Sequence, residues 1–218
     1  MPKNSPLLER GVKKDRETPH ELFDVLDETY GPFDCDAACL PEQYSAQTIW
    51  SRGGEIFISP PIFGPVSDRE RTYYDGLKIT WRGKVYLNPP YGPRERACPD
   101  RCTKRRCRIR GEHNAADVPG IEDWVAKAVS EVDQGNAARV VALLPSTTGN
   151  AWWQRYVFAR VERGTTGYLA SVREDGKRRF DLPMARLESV TFLKGRLTFV
   201  DAGDPAGFAS AVVVWERR

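Results

Sequence analysis

Apolar side chains recur along the chain with helical spacing in some segments and with strand spacing in others. Residues 121–134 place their apolar positions on one helical face and are followed by Gly135, so we expect a helix there. The run Thr18-Pro19-His20-Glu21 has the order of a capped helix N-terminus, and Gly31-Pro32 would end that helix. Residues 139–144 are apolar almost without interruption, which indicates a buried strand of a parallel sheet.

Shorter patterns predict the remaining elements. Strands are expected at 33–38, 55–59 and 84–87, on either side of Lys194-Gly195, and at 211–215. A further helix is expected over residues 150–163, and a hairpin around Asp175-Gly176. Strands that alternate with helices predict an α/β fold. The closing run of strands predicts an antiparallel edge on a mostly parallel sheet.

The composition is that of a folded protein with a water-exposed surface. The 218 residues suit one domain, 40% of them are hydrophobic, 29% are charged, and the mean hydropathy is −0.53. No apolar run approaches the roughly 18 residues of a membrane span, and the first residues lack an apolar signal region. These observations argue against a secreted or membrane protein and favour the cytoplasm. We expect a loose basic arm at 1–17 and a domain that fills 18–218.

An apolar strand that ends in Asn88-Pro89-Pro90-Tyr91 carries the clearest chemistry. In an open α/β sheet, ligands bind at the carboxyl ends of strands. Two prolines fix the backbone and remove two donors, so the Asn88 side-chain oxygen and the Pro89 carbonyl can both accept from an amino group. Such acceptors would aim the nitrogen lone pair at an electrophile. Tyr91 would stack on the ring that bears the amine. The alternative is that the four residues form only a rigid turn.

Several motifs, taken in order, resemble those of the phage-type DNA N6-adenine methyltransferases. The resemblance covers roughly residues 18–91 and 121–216, and the ordered set is more specific than the Asn-Pro-Pro-Tyr motif alone. The matching motifs are Thr18-Pro19-His20-Glu21-Leu22-Phe23, Phe33-Asp34-Cys35-Asp36-Ala37-Ala38, Asp75-Gly76-Leu77, Trp81, Asn88-Pro89-Pro90-Tyr91, Leu143-Leu144-Pro145, Trp152-Trp153 and Gly195-Arg196-Leu197-Thr198-Phe199.

This resemblance implies a Rossmann-like methyltransferase fold, with S-adenosylmethionine as the methyl donor. Matched residue by residue, Thr18-Pro19 and Asp36-Ala37 would approach the methionine part of the donor, and Asp75 its ribose or adenine. An ordinary turn or capping role is the alternative for these acids. The chain departs from the family's pattern because no glycine-rich loop follows the first strand. The implied target is an adenine flipped out of double-stranded DNA, and the implied origin is a phage or prophage in a bacterial cell.

Three of the five cysteines lie with a histidine just after the Asn-Pro-Pro-Tyr motif. Together they make a full tetrahedral ligand set for zinc. Because residues 94–117 contain one large aliphatic side chain, Ile109, they cannot build a core, and a metal would supply the missing folding energy. Free thiols in a flexible loop are the alternative, since an odd cysteine count without an export signal disfavours disulfides. The expected ligands are Cys98, Cys102, Cys107 and His113.

Positive charge is concentrated in the same inserted segment, residues 94–120. Residues 94–110 carry eight basic and two acidic side chains, a net charge of +6, whereas the whole chain carries +3. Such a patch is typical of polyanion binding, and the resemblance makes that polyanion double-stranded DNA; a solvated loop is the alternative. The polar segment 165–189 is the other candidate for target recognition. The residues expected on DNA are Arg101, Lys104, Arg105, Arg106, Arg108 and Arg110.

Two other functions stay open at the level of sequence. The first is a methyltransferase for another amine, namely cytosine N4, RNA adenine or a protein glutamine, because the Asn-Pro-Pro-Tyr chemistry does not separate these targets. The second is a non-catalytic zinc-containing DNA-binding protein, which would leave the ordered motifs unexplained. The sequence does not decide between a monomer and a dimer.

Overall fold

Seven strands form one mixed sheet in a computed structural model of the chain. Two further strands, β3 (Ser67–Asp68) and β4 (Arg71–Thr72), form a separate antiparallel pair. The structure describes residues 16–58, 67–68, 71–72, 74–111, 113–158, 185–200 and 202–217. The strands of the main sheet are β1 (Cys35–Cys39), β2 (Glu55–Ile58), β5 (Tyr74–Asp75), β6 (Gly83–Leu87), β7 (Ala137–Pro145), β8 (Ala185–Phe192) and β9 (Ser210–Arg217).

Four α-helices and one π-helix accompany the strands in the described part of the chain. The helix Ile121–Asp133 lies where the apolar pattern predicts it, whereas the helix Tyr44–Ser51 falls in a segment whose pattern predicts no helix. None of these helices is long and apolar enough to cross a lipid bilayer. The helices are α1 (His20–Tyr30), α2 (Tyr44–Ser51), α3 (Arg105–Arg110), α4 (Ile121–Asp133) and the π-helix Trp153–Val157.

The strand order of the main sheet is β5-β2-β1-β6-β7-β9-β8. Strand β1 pairs in parallel with β2 on one side and with β6 on the other, and the outer pairs β2–β5 and β6–β7 are also parallel. Strand β9 runs antiparallel to both β7 and β8. The predicted α/β sheet, mostly parallel with an antiparallel edge, is therefore confirmed. The chain extends the sheet from β1 in one direction and then, starting with β6, in the other, so its direction of growth reverses between these two strands.

The central strands are buried between two apolar layers, because successive side chains of a strand point to opposite faces. On β7, Val140, Ala142 and Leu144 belong to the layer that contains α4. Val141 and Leu143 belong to the layer that contains α1. This burial on both faces explains why the β7 sequence is apolar almost without interruption. It also fixes the carboxyl ends of β6 and β7 at one edge of the sheet.

The start of α1 differs from the prediction. The N-cap residue is Pro19, and no side chain caps the helix. Thr18, which the pattern predicts as the cap, instead uses its hydroxyl in hydrogen bonds with Tyr86 and Asn88 in the interior. A side-chain oxygen that caps a helix must reach the backbone of the first turn. Contacts with distant residues therefore replace the local cap that the sequence predicts.

Two elements near the C-terminus also differ from their predictions. The strand expected after Lys194-Gly195 is not formed by residues 196–200, because β9 occupies the sheet position beside β8. Residues 196–200 instead bury Phe199 and pair with the start of the described chain through the Val200 N–H, which donates to the Glu17 carbonyl. In the helix expected over 150–163, the described residues 151–158 are helical, but Trp153–Val157 form a π-helix instead of regular α-helix.

Some predictions fall on residues that the structure does not describe. These are residues 1–15 of the arm expected at 1–17, the end of the helix at 159–163, the hairpin around Asp175-Gly176 and most of the segment 165–189. Residues 185–189 of that segment belong to β8, the edge strand of the sheet.

Candidate active site and metal centre

The Asn-Pro-Pro-Tyr motif lies at the edge of the sheet where a ligand is expected. Asn88 directly follows Leu87, the last residue of β6, and the neighbouring strand β1 ends at Cys39. Because the direction of sheet growth reverses between β1 and β6, their carboxyl ends border the crevice in which open α/β sheets bind ligands. Pro89 is buried, and the side chains on either side of it are half-buried.

The side-chain amide of Asn88 is held at both ends. Its nitrogen donates to the Arg16 carbonyl and to the Thr18 hydroxyl, the latter at 3.0 Å. Its oxygen accepts from the Tyr91 hydroxyl at 2.6 Å. An amide oxygen has two lone pairs, so this arrangement leaves one of them for another donor. The geometry therefore suits Asn88 as an acceptor for an amino group.

Tyr91 is enclosed by other aromatic rings. Its ring meets Phe199 and Phe208 edge-on, with centroid distances of 5.9 and 5.4 Å. Its hydroxyl also lies 3.1 Å from the Leu143 carbonyl oxygen. Burial raises the pKa of Tyr91 well above its usual value, so the phenol keeps its proton and remains a donor. The sequence did not assign Phe199 and Phe208 to the site, although Phe199 lies in the matching motif at 195–199.

A second hydrogen-bonded pair adjoins Asn88. The hydroxyl groups of Thr18 and Tyr86 bond to each other, and both side chains are buried. Burial raises the pKa of Tyr86 well above its usual value, so this hydroxyl also stays protonated. The resemblance implies that Thr18-Pro19 approaches the methionine part of the methyl donor, and in the structure the Thr18 hydroxyl lies next to the Asn88 amide. Tyr86 was missed because it reads as an ordinary strand residue.

Residues 16–18 lie across the Asn88 site. The Arg16 guanidinium lies over the rings of Phe199 and Phe208, 5.4 and 5.7 Å from their centroids. The Glu17 carboxylate accepts from the backbone N–H of Tyr44 at 2.7 Å, at the start of α2. These contacts hold residues 16–18 through both side-chain and backbone atoms. They explain why Thr18 lies beside Asn88.

Asp36 is a buried carboxyl group within β1, and it is 1% exposed. It accepts from the Ser45 hydroxyl at 2.7 Å and from the Ala38 backbone N–H at 3.3 Å. Burial raises its pKa to about 6, although both hydrogen bonds act in the opposite direction. The adjacent Ala37 is fully buried, and its carbonyl lies so close to Gly76 that a Cβ there would come within 2.0 Å of the oxygen.

Asp75 ends β5, and β2 separates β5 from β1 in the sheet. One carboxylate oxygen accepts from the Leu77 backbone N–H at 3.0 Å, and the other forms an ion pair with the exposed Lys78 at 3.1 Å. Four neighbouring strands, from β5 to β6, span about 14 Å, so the structure does not bring Asp75 into contact with Asn88. A partly exposed carboxylate at this edge fits hydroxyl groups of a ligand such as a ribose.

The four predicted metal ligands form one cluster. Their ligand atoms all lie within 4.8 Å of one another, and the Sγ atoms of Cys98 and Cys107 are 3.5 Å apart. Burial raises the pKa of the Cys98 thiol, but hydrogen bonds from the Asn114 backbone and from its three partners outweigh it and lower the pKa to about 6. Three thiols and an imidazole at these distances could hold a metal ion of zinc's ligand preference. The cluster consists of Cys98, Cys102, Cys107 and His113.

The Cys/His module, residues 94–120, is fastened where it leaves and rejoins the domain. Glu95 and Val118 form an antiparallel bridge with two backbone hydrogen bonds of 3.0 and 2.7 Å. Gly120 packs so closely against Arg94 that a Cβ would lie 2.2 Å from its backbone nitrogen. Asp123, in the first turn of α4, then accepts from the Gly120 N–H at 2.8 Å. Since the module joins the end of β6 to α4, it lies at the same sheet edge as Asn88.

Most of the side chains that are predicted to contact DNA are exposed on the module. Four of them form no ion pair with any residue in the described ranges, so their charge is not neutralised by that part of the fold. Arg106 and Arg110 belong to α3 together with Arg105 and Arg108. The exposed side chains are Arg101, Lys104, Arg105 and Arg108.

Comparisons with known proteins give little beyond this geometry. No protein-family model matches the chain. No curated protein matches it either. Among solved structures, the chain is similar to one described as a "putative RNA methyltransferase PH1948" from Pyrococcus horikoshii, with a TM-score of 0.42 and 8% identity, over 90% of this chain and 81% of that one.

Proposed function

We propose that the protein transfers a methyl group from S-adenosylmethionine to the N6 amine of adenine in double-stranded DNA. The observation that carries the proposal is the position of Asn88 and its amide at the carboxyl end of β6, beside the point where sheet growth reverses. A crevice at that point is the usual ligand site of such sheets. The preference for adenine in DNA rests on the resemblance of the ordered motifs.

The chemistry assigned to the site is acceptance of the amine hydrogens. The free lone pair of the Asn88 Oδ1 would accept one N–H, and the Pro89 carbonyl would accept the other. The nitrogen lone pair would then point away from both acceptors. Tyr91 and its neighbours Phe199 and Phe208 supply an apolar aromatic wall that excludes water and suits a planar base. Catalysis by these residues consists of positioning and desolvation.

The methyl donor would supply an electrophilic carbon on a sulfonium ion. In the proposal, Asp36-Ala37 within β1 and Asp75 at the end of β5 would lie on the donor's side of the site, as the resemblance implies. Thr18-Pro19 adjoins the amine motif. No residue of the chain needs to form a covalent bond with the substrate.

The Cys/His module supplies the proposed contact with DNA. We assign zinc to Cys98, Cys102, Cys107 and His113, where it would hold α3 against the loop that precedes it. Exposed basic side chains on that module would bind phosphate groups, which account for most protein–DNA hydrogen bonds. The module's attachment next to the motif supports this role, because a flipped base and its flanking phosphates must be bound together.

The function can be tested by incubating the protein with S-adenosylmethionine that carries a radiolabelled methyl group. Duplex DNA, single-stranded DNA, RNA and a protein mixture serve as separate acceptors, followed by nucleoside analysis of the labelled product. Label in N6-methyladenine from duplex DNA supports the proposal. Label in N4-methylcytosine, RNA or protein would reassign the target. The absence of label in every acceptor from a folded, zinc-loaded protein would favour a non-catalytic DNA-binding protein.

A further inference from the structure

We propose that Thr18 and Tyr86 are positioning residues that fix the orientation of the Asn88 amide, so that its oxygen rather than its nitrogen faces the substrate amine. This inference rests on the proposed function. Neither side chain is assigned such a role by the motif, which assigns only residues 88–91 to the amine.

The need for such residues follows from the shape of an amide. The oxygen and nitrogen ends of an asparagine side chain are nearly equal in size, and the torsion that exchanges them has a broad, roughly two-fold profile. Only the oxygen end can accept from an amino group. If the nitrogen end faced the substrate, two sets of N–H donors would oppose each other. An Asn88 without fixed partners would present the wrong end for part of the time.

The contacts around Asn88 select one orientation. The Arg16 carbonyl can only accept a hydrogen bond, so it requires the amide nitrogen on its side. The Thr18 hydroxyl lies on the same side, 3.0 Å from the nitrogen. On the opposite side the Tyr91 hydroxyl donates to the amide oxygen. A flipped amide would place its oxygen against the Arg16 carbonyl oxygen.

Tyr86 determines how Thr18 takes part. A threonine hydroxyl has one hydrogen and two lone pairs, and it can turn to become a donor toward Asn88. The buried Tyr86 hydroxyl forms its hydrogen bond with the Thr18 oxygen, and Tyr86 is 1% exposed. If Tyr86 donates, the Thr18 oxygen accepts from Tyr86 and Asn88 together and both its lone pairs are used. Thr18 is 5% exposed, so water does not readily replace either partner.

Three variants test the proposal. Thr18→Val keeps the shape of the side chain and removes the acceptor, Thr18→Ser keeps the acceptor, and Tyr86→Phe removes only the hydroxyl. The matched controls are Thr29→Val and Tyr44→Phe. In wild type, the Thr29 hydroxyl donates to the Val25 carbonyl on the exposed side of α1, and the Tyr44 hydroxyl donates to Asp24 at the surface.

The first readout is independent of activity. In protein labelled with ¹⁵N-asparagine, the side-chain NH₂ of Asn88 is assigned by its loss in Asn88→Ala, and its hydrogen exchange is followed by NMR. We expect exchange to accelerate about ten-fold or more in Thr18→Val, because the amide nitrogen loses a buried partner. We expect the same in Tyr86→Phe, because the Thr18 hydroxyl is then free to turn its hydrogen toward the amide. Thr18→Ser and both controls should keep the wild-type rate. Unchanged exchange in Thr18→Val would overturn the proposal.

The second readout is the rate of methyl transfer at saturating donor and DNA. Thr18→Val and Tyr86→Phe should lower kcat by roughly ten-fold, while Thr18→Ser stays within about three-fold of wild type. The dissociation constant for S-adenosylmethionine should not change in any of them. Faster exchange with a wild-type kcat would overturn the positioning role. An inactive wild type would instead refute the proposed function, and the exchange rates would still show whether Thr18 and Tyr86 fix the amide.

A change at position 88 itself adds an independent check. In Asn88→Asp, a carboxylate oxygen would face the Arg16 carbonyl without an N–H between them. Residues 16–18 should then detach, so trypsin should cleave after Arg16 at least several-fold faster than in wild type. Asn136→Asp is the matched control, because the Asn136 side chain donates an exposed hydrogen bond to Gln134. Equal cleavage rates in Asn88→Asp and wild type would show that the amide nitrogen does not hold residues 16–18, and this result would overturn the proposal.

Discussion

At the scale of single residues, the site is defined by buried and half-buried polar groups whose partners come from distant parts of the chain. Asn88 is held by residues 16–18 and by Tyr91, and Tyr91 in turn contacts Phe199 and Phe208. A buried polar group that loses its partner costs about 1–3 kcal/mol. Substitutions that remove one atom should therefore have measurable effects on the site.

Tyr91 combines two separable roles, and its variants should differ in activity. Tyr91→Phe keeps the ring but removes the donor to Asn88, so we expect kcat to fall by about three- to ten-fold. Tyr91→Ala also removes the aromatic ring. Because stacking of a base on such a ring contributes about 1–3 kcal/mol to binding, this variant should lose much more activity. Steady-state methyl transfer by the two variants checks the order. A Phe variant as inactive as the Ala variant would show that the hydroxyl alone matters.

Asp36 should make stability depend on pH in a particular direction. Burial raises the pKa of this carboxyl from 3.8 to about 6 in the folded protein. The folded state therefore binds more protons than the unfolded state between these values, and the contribution of Asp36 to stability falls as pH rises through this window. Between pH 5 and pH 8 the loss from this group is about 1–1.5 kcal/mol.

Urea unfolding of wild type and Asp36→Asn at pH 5 and pH 8 measures this effect. The neutral amide cannot ionise, so the variant should lose less stability than wild type as the pH rises. Ser45 can still bond to either end of the new side chain. Equal pH dependence in the two proteins would show that Asp36 titrates normally.

At the scale of elements, the parallel strands bring the ends of β1 and β6 together and the Cys/His module extends from the same edge. The residues that bind its proposed zinc come from a loop and from α3, a six-residue helix. Such a short helix is not stable on its own in water. We therefore expect the metal to be required for the module, and the sheet to fold without it.

Zinc content should follow the four ligands and no other cysteine. Elemental analysis should find one zinc per chain in wild type and in Cys35→Ala, whose thiol is buried in the core away from the cluster. Cys107→Ala and His113→Ala should contain much less. Chelation should weaken DNA binding while the dissociation constant for S-adenosylmethionine is retained. Metal-free wild type, purified without chelator, would contradict the assignment.

The basic side chains of the module should bind DNA through its phosphates. Each phosphate contact contributes about −0.9 to the slope of log K against log salt concentration. The triple change Lys104→Ala, Arg105→Ala and Arg108→Ala should therefore flatten the slope by up to roughly 3. It should also weaken binding to DNA of every sequence by the same factor. Arg82→Ala, exposed at the opposite edge where β6 begins, is the control. An unchanged slope, with zinc retained, would place the DNA contact elsewhere.

Local patterns predicted the elements well where one face of a helix or strand is buried, as for α4 and β7. They did not predict α2, whose eight residues bury only Ser45, Ala46 and Ile49. The metal cluster was predictable because its ligands lie within one short segment. Tyr86, Phe208 and Arg16 were not predictable as site residues, since their roles depend on contacts across the fold that no local spacing encodes.

At the scale of the whole molecule, one edge of the sheet unites every feature that the proposed function needs. The amine motif, the end of β1 and the Cys/His module all meet there, and residues 16–18 close over the motif. The proposed function assigns to this edge an acceptor for an amine, a site for the methyl donor and a positive surface. The strand order, rather than any single motif, brings them together.

The most direct test of this account is mass spectrometry of nucleosides from duplex DNA treated with the protein and S-adenosylmethionine. Wild type should produce N6-methyladenine. Asn88→Ala should produce none, yet bind S-adenosylmethionine with an unchanged dissociation constant by calorimetry, because Asn88 contacts the amine and not the donor. N6-methyladenine formed by Asn88→Ala at the wild-type rate would contradict the account, and so would a folded wild type that methylates no base.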